Sequence, residues 1–262
     1  MGDERDHSHV KRVVVKVGTN VMTNRDNRIV SPILRGLVDQ IAELYERDIM
    51  TILVSSGSVI AGMEVMDSTI DDPTIRRQVF SAIGQPRMMR HYYSIFHEYG
   101  MRCAQVLATK RDFSPGKHRE NMINCYEGLL SQGVIPIANE DDAVSLSMSM
   151  FSDNDELASL VAELLNADML ILLTDTDGLY TGHPDDEDSR LIRNVTTDQN
   201  VEQYIRETNK GEAEGRGGME SKLGVAKETA KKDIPTFIAN GKRERVIVDL
   251  VDGKEIGTRI ID

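Results

Sequence analysis

A lysine follows a run of glycines late in the chain, in the segment Gly215-Arg216-Gly217-Gly218-Met219-Glu220-Ser221-Lys222. Apolar residues at helical spacing come next, which places Lys222 in the first turn of a predicted helix. Glycines let backbone amides approach a ligand closely, and the start of a helix presents unpaired N–H groups. The segment therefore predicts a cradle for an anion such as a polyphosphate. The alternative is a flexible glycine loop that ends beside a solvated lysine.

A second lysine, Lys16, stands near the end of the apolar segment Arg12–Val17 and just before Gly18. Cations at glycine-rich turns suit phosphoryl transfer, which needs charge stabilisation spread over the oxygens of the transferred group. Asp155 lies at a predicted helix start, where it can orient both lysines by hydrogen bonding. Its alternative role is favourable charge at a helix N-terminus. Ser152 and Asp155 have the spacing of a capping box.

Further polar side chains stand where predicted strands end. Ser56 follows the second strand, Asp142 the fourth, and Thr174 and Asp175 the fifth. Each alone fits an ordinary turn, because such residues satisfy local backbone groups. In an open sheet of parallel strands, however, ligands bind at the carboxyl ends of the strands. The shared placement therefore predicts one site along that edge.

Apolar runs and helical spacing define the elements that position these residues. The predicted strands are Arg12–Val17, Ile49–Val54, Met101–Ala108, Val134–Ala138, Met169–Leu173, Pro235–Ala239 and Val246–Leu250. Helical patterns alternate with them, and residues 74–99 are predicted as one long or broken helix, with an interruption at Gly84 to Pro86. The alternation predicts an α/β fold with a mostly parallel sheet and helices on both faces.

Composition limits the partners and the compartment. The 262 residues carry a formal net charge of −12, which argues against an extended nucleic-acid surface or adhesion to anionic membrane. Cys103 and Cys125 lack metal-site spacing, so we expect reduced thiols in a cytoplasmic protein. No apolar run approaches the roughly 20 residues that span a bilayer. Residues 1–10 are charged and are interpreted as a frayed lead-in.

Eight segments occur in the order typical of one enzyme family. They are VVVKVGTNV, ILVSSGSVIAGM, AIGQPRMM, AQVLATKRDF, VIPIANEDDAV, SDNDELASLVA, LILLTDTDGLYTGHP and GRGGMESK. Together they resemble the amino-acid kinase family, most closely its members that phosphorylate the γ-carboxylate of L-glutamate at the start of proline biosynthesis. The resemblance runs from Val13 to about Thr258. It implies a three-layer αβα sandwich without a P-loop.

The resemblance also implies roles for the candidate residues. Lys16, Asp155 and Lys222 would be catalytic, with Asp155 positioning the lysines. The predicted ATP-binding residues are Lys16, Thr174, Asp175, Arg216, Gly217, Gly218, Met219, Glu220, Ser221 and Lys222. The predicted glutamate-binding residues are Ser56, Asp142 and Asn154. Mg²⁺ is implied by ATP, and the sequence shows no dedicated metal cage, which fits Mg²⁺ held by phosphates and water.

The family leads us to expect one kinase domain over residues 1–262 without a C-terminal PUA domain, and a homo-oligomer. It also suggests feedback inhibition by proline and functional coupling to glutamyl phosphate reductase. Two alternatives stay open. The chain can be another small-molecule kinase, acting on N-acetylglutamate, aspartate, an isoprenoid phosphate or a nucleotide monophosphate. It can also be a catalytically idle sensor of an amino acid or nucleotide.

Three positions depart from the usual family pattern. Asp141 replaces an Asn, Ser152 stands where Gly is common, and Arg216 replaces a Thr in the glycine cradle. Arg216 adds a cation near the predicted phosphate position. These departures bear on substrate preference and ATP affinity, and they leave the reaction class unchanged.

Overall fold

A computed structural model describes residues 9–144, 151, 153–201, 203–204 and 218–262. Eight strands within these ranges form one sheet. They are β1 (Arg12–Val17), β2 (Met50–Ser55), β3 (Arg102–Ala108), β4 (Val134–Glu140), β5 (Met169–Thr174), β6 (Asn194–Thr196), β7 (Thr236–Asn240) and β8 (Thr258–Ile261). Their order is β3-β4-β2-β1-β5-β7-β8-β6. Every neighbouring pair is parallel except the antiparallel pair β7–β8.

Helices cover both faces of the sheet. They are α1 (Thr19–Met22), α2 (Ser31–Glu46), α3 (Ser58–Met63), α4 (Pro73–Glu98), α5 (Lys117–Ser131), α6 (Asn154–Leu164), α7 (Met219–Ala230) and α8 (Val246–Val251), with a short 3₁₀ helix at Lys110–Phe113. None of the helices in the described ranges is long and apolar enough to cross a membrane.

Alternate residues of the central strand β1 enter two separate cores. Val13, Val15 and Val17 pack in the core that contains α2, α4 and α8. Val14 packs on the opposite face, in the core that contains α5, α6 and α7. Because successive side chains of a strand point to opposite faces, a strand covered on both sides reads as a continuous apolar run. The predicted αβα sandwich with a mostly parallel sheet is confirmed.

The predicted strand at Val246–Leu250 is wrong, because these residues form helix α8. All six residues of α8 are buried, and the helix follows Arg245, whose φ of 58° turns the chain. The backbone N–H of Ile247 donates to the Gln40 side chain on α2 at 2.8 Å. A short run of apolar residues shows no periodicity that would distinguish a buried helix from a buried strand. The late strand is instead β8, which the sequence pattern did not reveal.

Helix α4 is continuous, so the predicted interruption at Gly84 to Pro86 is also wrong. The helix runs from Pro73 to Glu98 with Pro86 inside it. Gly84 has a packing role, since an added Cβ would lie 1.7 Å from the carbonyl oxygen of Ser58 on α3. The glycine therefore marks the close approach of two helices rather than a break in one.

Candidate functional site

The carboxyl ends of four adjacent strands, in the order β4-β2-β1-β5, carry the residues singled out in the sequence. Lys16 lies near the end of β1, and Thr174 ends β5. Ser56 directly follows β2. Asp142 comes two residues after the end of β4. The common edge predicted for these residues is therefore present in the fold.

One buried carboxylate joins both lysines. The Nζ atom of Lys16 lies 2.5 Å from Oδ1 of Asp155, and the Nζ atom of Lys222 lies 3.1 Å from Oδ2. The exposed fractions of the side chains are 5% for Lys16, 10% for Lys222 and 0% for Asp155. The three residues come from β1, α7 and α6, so three separate elements meet at this carboxylate. The predicted contact of Asp155 with both lysines is thus observed.

Burial sets the electrostatics of this group. Loss of hydration lowers the pKa of Lys16 below the ordinary lysine value, and the charge of Lys222 acts in the same direction, while Asp155 opposes both. Two buried lysines thus adjoin one carboxylate among the described residues. Buried ammonium groups suit phosphate oxygens, which bring negative charge into a site shielded from water.

The side chain of Asp153 caps helix α6. Its Oδ1 atom accepts hydrogen bonds from the backbone N–H groups of Asp155 and Glu156. The predicted capping box is therefore wrong in its cap residue, and Ser152 itself lies outside the described residues. Because Asp153 caps the helix, the carboxylate of Asp155 is available to contact the lysines.

The second oxygen of Asp153 ties α6 to the helix that carries Lys222. Oδ2 of Asp153 accepts the hydroxyl hydrogen bond of Ser221 at 2.7 Å. Ser221 directly precedes Lys222 in the first turn of α7. One aspartate thus fixes the starts of both helices, and with them the distance between Asp155 and Lys222. Sequence reasoning missed this role, although an Asp before a helical pattern is a common cap signal.

Only part of the predicted glycine cradle can be placed. Arg216 and Gly217 lie outside the described residues. Gly218 is the N-cap of α7, Met219 is half-buried and Glu220 is exposed. Lys222 lies in the first turn, as predicted. The start of α7 therefore faces the group formed by Lys16, Asp155 and Lys222. The positive end of the helix dipole adds to the positive charge of the two lysines.

Thr174 and Asp175 lie at the end of β5, the strand that pairs with β1. The Thr174 hydroxyl donates to Oδ1 of Asp175 at 3.2 Å. Oδ2 of Asp175 accepts from the side-chain amide of Asn20 on α1 at 3.4 Å. The sequence pattern did not single out Asn20, because it appeared as one residue of a turn after β1. These contacts hold the loops after β1 and β5 together.

The predicted substrate residues Ser56 and Asn154 are in contact. The Nδ2 atom of Asn154 donates to Oγ of Ser56 at 2.9 Å and to Oδ1 of Asn139 at 2.8 Å. Gly57 follows Ser56 with a φ of 96°, a left-handed conformation that glycine adopts without strain, and it begins α3. Sequence reasoning did not single out Asn139, yet it is buried and central to this cluster.

Asp142, the third predicted substrate residue, is held by helix α4. Oδ1 accepts from Nε and Nη2 of Arg77 at 3.0 and 2.8 Å, and Oδ2 accepts from the Ser81 hydroxyl at 2.7 Å. Ser81 also lies 3.0 Å from the Ser58 hydroxyl. The side-chain amide of Asn139 lies 3.4 Å from the same hydroxyl. A continuous hydrogen-bonded chain thus joins Asp142 to Ser56 and Asn154.

Sequence reasoning singled out neither Arg77 nor Ser81. Both lie within a long amphipathic helix that gave no sign of chemistry. Of the three departures from the family pattern, Asp141 lies in the turn after β4, where Oδ1 accepts from the Ala143 backbone N–H at 3.3 Å. Arg216 and Ser152 fall outside the described residues.

No group of three His, Cys, Asp or Glu side chains that could hold a metal ion occurs in the part of the chain that the structure describes. The carboxylate of Asp155 is already shared by two lysines.

Comparison with known sequences identifies close relatives. A sequence profile described as the amino acid kinase family matches residues 11–240. Glutamate 5-kinase of Bacteroides thetaiotaomicron is 43% identical over 92% of this chain and 66% of its own length. Glutamate 5-kinase of Chlorobaculum tepidum is 39% identical over 97% of this chain and 70% of its own length. The chain thus spans about two thirds of these two proteins, at 66% and 70%.

A further relative is matched over nearly its full length. Glutamate 5-kinase of Alkaliphilus metalliredigens is 36% identical over 95% of this chain and 94% of its own length. Together these relatives confirm the family resemblance that the eight ordered segments predicted.

Solved structures share the fold at low sequence identity. Isopentenyl phosphate kinase from T. acidophilum superposes with a TM-score of 0.67 at 19% identity, covering 95% of this chain and 99% of that one. UMP kinase from Bacillus anthracis superposes with a TM-score of 0.65 at 14% identity and 96% coverage of both chains. At these identities the comparison supports the architecture and says nothing about the substrate.

Proposed function

The chain belongs to the amino acid kinase family, and from that premise we propose that it transfers the γ-phosphoryl group of ATP to the γ-carboxylate of L-glutamate. The product is L-glutamyl 5-phosphate. The observation that carries the proposal is the pairing of Lys16 and Lys222 with one buried carboxylate, in a chain whose relatives are glutamate 5-kinases. We call the group Lys16, Asp155 and Lys222 the nucleotide end of the site.

At the nucleotide end, the two lysines stabilise negative charge on the phosphate oxygens during transfer. Charge spreads over the transferred group in the transition state, and preorganised cations in a water-poor site lower its energy. Asp155 touches both ammonium groups and so holds them in place before ATP arrives. Thr174, Asp175 and the start of α7 line the adjoining space for the nucleotide, as the resemblance implies.

Mg²⁺ would bind with ATP and neutralise part of the phosphate charge. We propose that phosphates and water supply most of its ligands, since the described residues hold no cluster of three metal-binding side chains. The chain's own contribution is then the fixed positive charge of Lys16 and Lys222 beside those phosphates.

At the acceptor end, which we define as Ser56, Asn139, Asn154 and Asp142, the chain positions glutamate. The γ-carboxylate has a pKa of about 4.3, so it is already an ionised nucleophile at neutral pH and needs no general base. Its oxygen bonds to the γ-phosphorus while the bond from that phosphorus to the β–γ bridging oxygen breaks, and ADP leaves. Ser56 and Asn154 contact each other at this end, and Asp142 offers a negative charge for the α-ammonium group.

Several broader features belong to the same proposal. Residues 1–262 would act as one kinase domain in the cytoplasm and assemble with copies of itself. Proline would compete with glutamate, because it carries the same α-carboxylate beside a cationic nitrogen. The product is a reactive acyl phosphate, which must be consumed soon after release. Functional coupling to glutamyl phosphate reductase would meet that need.

Amino-acid-dependent formation of ADP tests the proposal. Purified protein with ATP and Mg²⁺ should form ADP only when L-glutamate is present, and hydroxylamine should trap the acyl phosphate as a hydroxamate. N-acetylglutamate, aspartate, an isoprenoid phosphate and a nucleotide monophosphate serve as competing substrates. Equal or better turnover of any of these would overturn the substrate assignment. Binding of glutamate without any turnover would indicate a sensor.

A further inference from the structure

Arg77 is a positively charged partner of Asp142 and donates two hydrogen bonds to it. Two donors of its guanidinium group, Nε and Nη2, reach the same oxygen of Asp142 at 3.0 and 2.8 Å. The Asp142 side chain is 4% exposed and the Arg77 side chain is 37% exposed. The carboxylate is therefore buried, while the arginine that neutralises it reaches it from the partly solvated first turns of α4.

A second buried carboxylate lies within reach of the same arginine. Oε2 of Glu140 lies 3.7 Å from Nη2 of Arg77, and Oε1 of Glu140 accepts from the backbone N–H of Phe151 at 3.2 Å. Two buried anions therefore adjoin one cation. Charges removed from water need such a partner, because an unpaired buried carboxylate is costly.

Ser81 donates to the other oxygen of Asp142 and links this carboxylate to a longer series of hydrogen bonds. Its shorter hydrogen bond, 2.7 Å, is to the carboxylate, and an ionised carboxylate only accepts. The same hydroxyl group of Ser81 also lies within hydrogen-bonding distance of the Ser58 hydroxyl, which accepts at 3.0 Å. The side-chain amide of Asn139 donates in turn to Ser58. The orientation of Asp142 is thereby tied to that of the amides beside Ser56.

The Asp142 carboxylate has the capacity to accept a further hydrogen bond. A carboxylate offers about four acceptor positions. Arg77 occupies two on Oδ1, and Ser81 occupies one on Oδ2. The remaining position on Oδ2 suits one N–H of an ammonium group.

We propose that Arg77 and Ser81 are positioning residues for glutamate recognition. They hold the Asp142 carboxylate in the orientation in which Oδ2 accepts a hydrogen bond from the substrate's α-ammonium group. The inference rests on the proposed glutamate kinase function and adds to it two residues from α4. We call Arg77, Ser81 and Asp142 the carboxylate clamp.

The test compares two neighbouring arginines of the same helix turn. Arg77→Gln removes the charged clamp donor, whereas Arg76→Gln is the matched control, because exposed Arg76 donates only to the Ile70 carbonyl oxygen at 3.4 Å. We expect Arg77→Gln to raise the KM for glutamate roughly tenfold or more, the usual effect of losing a charged hydrogen bond. The KM for ATP and kcat should stay close to wild type, because the nucleotide end keeps its contacts. Arg76→Gln should behave as wild type.

A conservative variant of Arg77 distinguishes a positioning role of this residue from a general loss of structure. Arg77→Lys keeps the charge but replaces the two-donor fork by a point charge, so its KM for glutamate should lie between wild type and Arg77→Gln. Ser81→Ala should give a smaller rise, because the charged pair remains. Thermal unfolding of each variant verifies folding, and glutamate binding without ATP, measured by calorimetry, should weaken in the same order.

Three outcomes would overturn the inference. One is a KM for glutamate in Arg77→Gln that equals the value in Arg76→Gln. Another is a parallel loss of ATP binding and kcat, with no rescue in Arg77→Lys. Wild-type protein that forms no ADP with glutamate would overturn the proposed function itself, and the clamp role with it. That failure appears in the wild type, so it is distinct from failure of the clamp alone.

Discussion

At the nucleotide end two buried lysines share the single carboxylate of Asp155, whereas at the acceptor end hydroxyl and amide groups form a hydrogen-bonded chain that reaches Asp142. The two regions also differ in the charged side chains that the described residues bring together. Lys16 and Lys222 meet Asp155 at the nucleotide end. Glu140 and Asp142 adjoin Arg77 next to the acceptor end.

This difference indicates how the site would orient ATP and glutamate, which both carry negatively charged groups. Under the proposed function, the two lysines attract the phosphates to one end, and the carboxylate of Asp142 attracts the α-ammonium group of glutamate to the other. Charge at the nucleotide end acts mainly in the transition state, where it affects kcat. Contacts at the acceptor end exist in ground and transition states alike, and so affect KM. Four predictions follow the comparison, from the largest expected effect to the smallest.

Lys222→Met should lower kcat by about two orders of magnitude or more, the effect of removing one preorganised charge donor. Lys222 lies 3.1 Å from Asp155, so the change also leaves Lys16 as the remaining partner of that carboxylate. Steady-state ADP release at saturating substrates measures the loss. Lys227→Met, in the last turn of the same helix, is the control and should stay near wild type. A kcat near wild type in Lys222→Met would contradict the role of the nucleotide end.

Asp142→Ala should raise the KM for glutamate about tenfold or more while the KM for ATP changes little, because a contact made in both states is lost. Arg77 can be solvated after the change, since its side chain is 37% exposed. Inhibition by proline should weaken by a similar factor, because proline offers its nitrogen to the same carboxylate. Initial rates at varied glutamate, ATP and proline measure all three. Weakened ATP binding in this variant would show that the two ends are not separate.

As pH rises, activity should decline below the pH at which an ordinary lysine loses its proton. Burial lowers the pKa of Lys16, with Lys222 adding to the shift and Asp155 opposing it. The free enzyme therefore loses this positive charge at a pH below the usual lysine range, and kcat/KM for ATP falls as pH rises through that value. Lys16→Arg should move the decline to higher pH, because a guanidinium group keeps its proton. A decline at or above the ordinary lysine pKa would contradict the prediction.

Ser221→Ala should have the smallest effect, although Ser221 directly precedes Lys222. It removes one neutral-to-charged hydrogen bond of 2.7 Å to Asp153, which still caps α6 through its other oxygen. The free energy of unfolding should fall by about 1 kcal/mol, and kcat should fall less than in Lys222→Met. Urea unfolding and steady-state rates measure the two. Ser131→Ala, which loses only a bond to the Gly128 carbonyl, is the control. A kcat loss as large as that of Lys222→Met would make Ser221 part of the catalytic group.

Much of the fold was predictable because local pattern and burial coincide. β1 and β5 are covered on both faces, so their continuous apolar runs identified them from sequence. The candidate residues at strand ends were likewise predictable, since parallel strands bring their carboxyl ends to one edge. Lys16, Asp155 and Lys222 meet as expected, because each lies directly at the end of a strand or the start of a helix.

Where prediction failed, the deciding contact lay far away along the chain. Val246–Val251 is a helix because it packs between α2 and the sheet, and Gln40 accepts its Ile247 N–H. α4 stays continuous because Gly84 faces α3 closely instead of ending the helix. In both cases the local sequence allowed two structures, and tertiary packing selected one.

The sequence by itself determined most strands of the sheet, the edge at which the candidate residues lie and the charged residues of the nucleotide end, since apolar runs and the ends of strands and helices are local features. Tertiary structure alone decided what surrounds Asp142. Arg77 and Ser81 stand 65 and 61 residues away from it and read as ordinary polar positions of an amphipathic helix. Their role depends on the packing of α3 and α4 against the end of β4, because hydrogen bonds reach only about 3 Å and sequence spacing sets no such distance between separate elements.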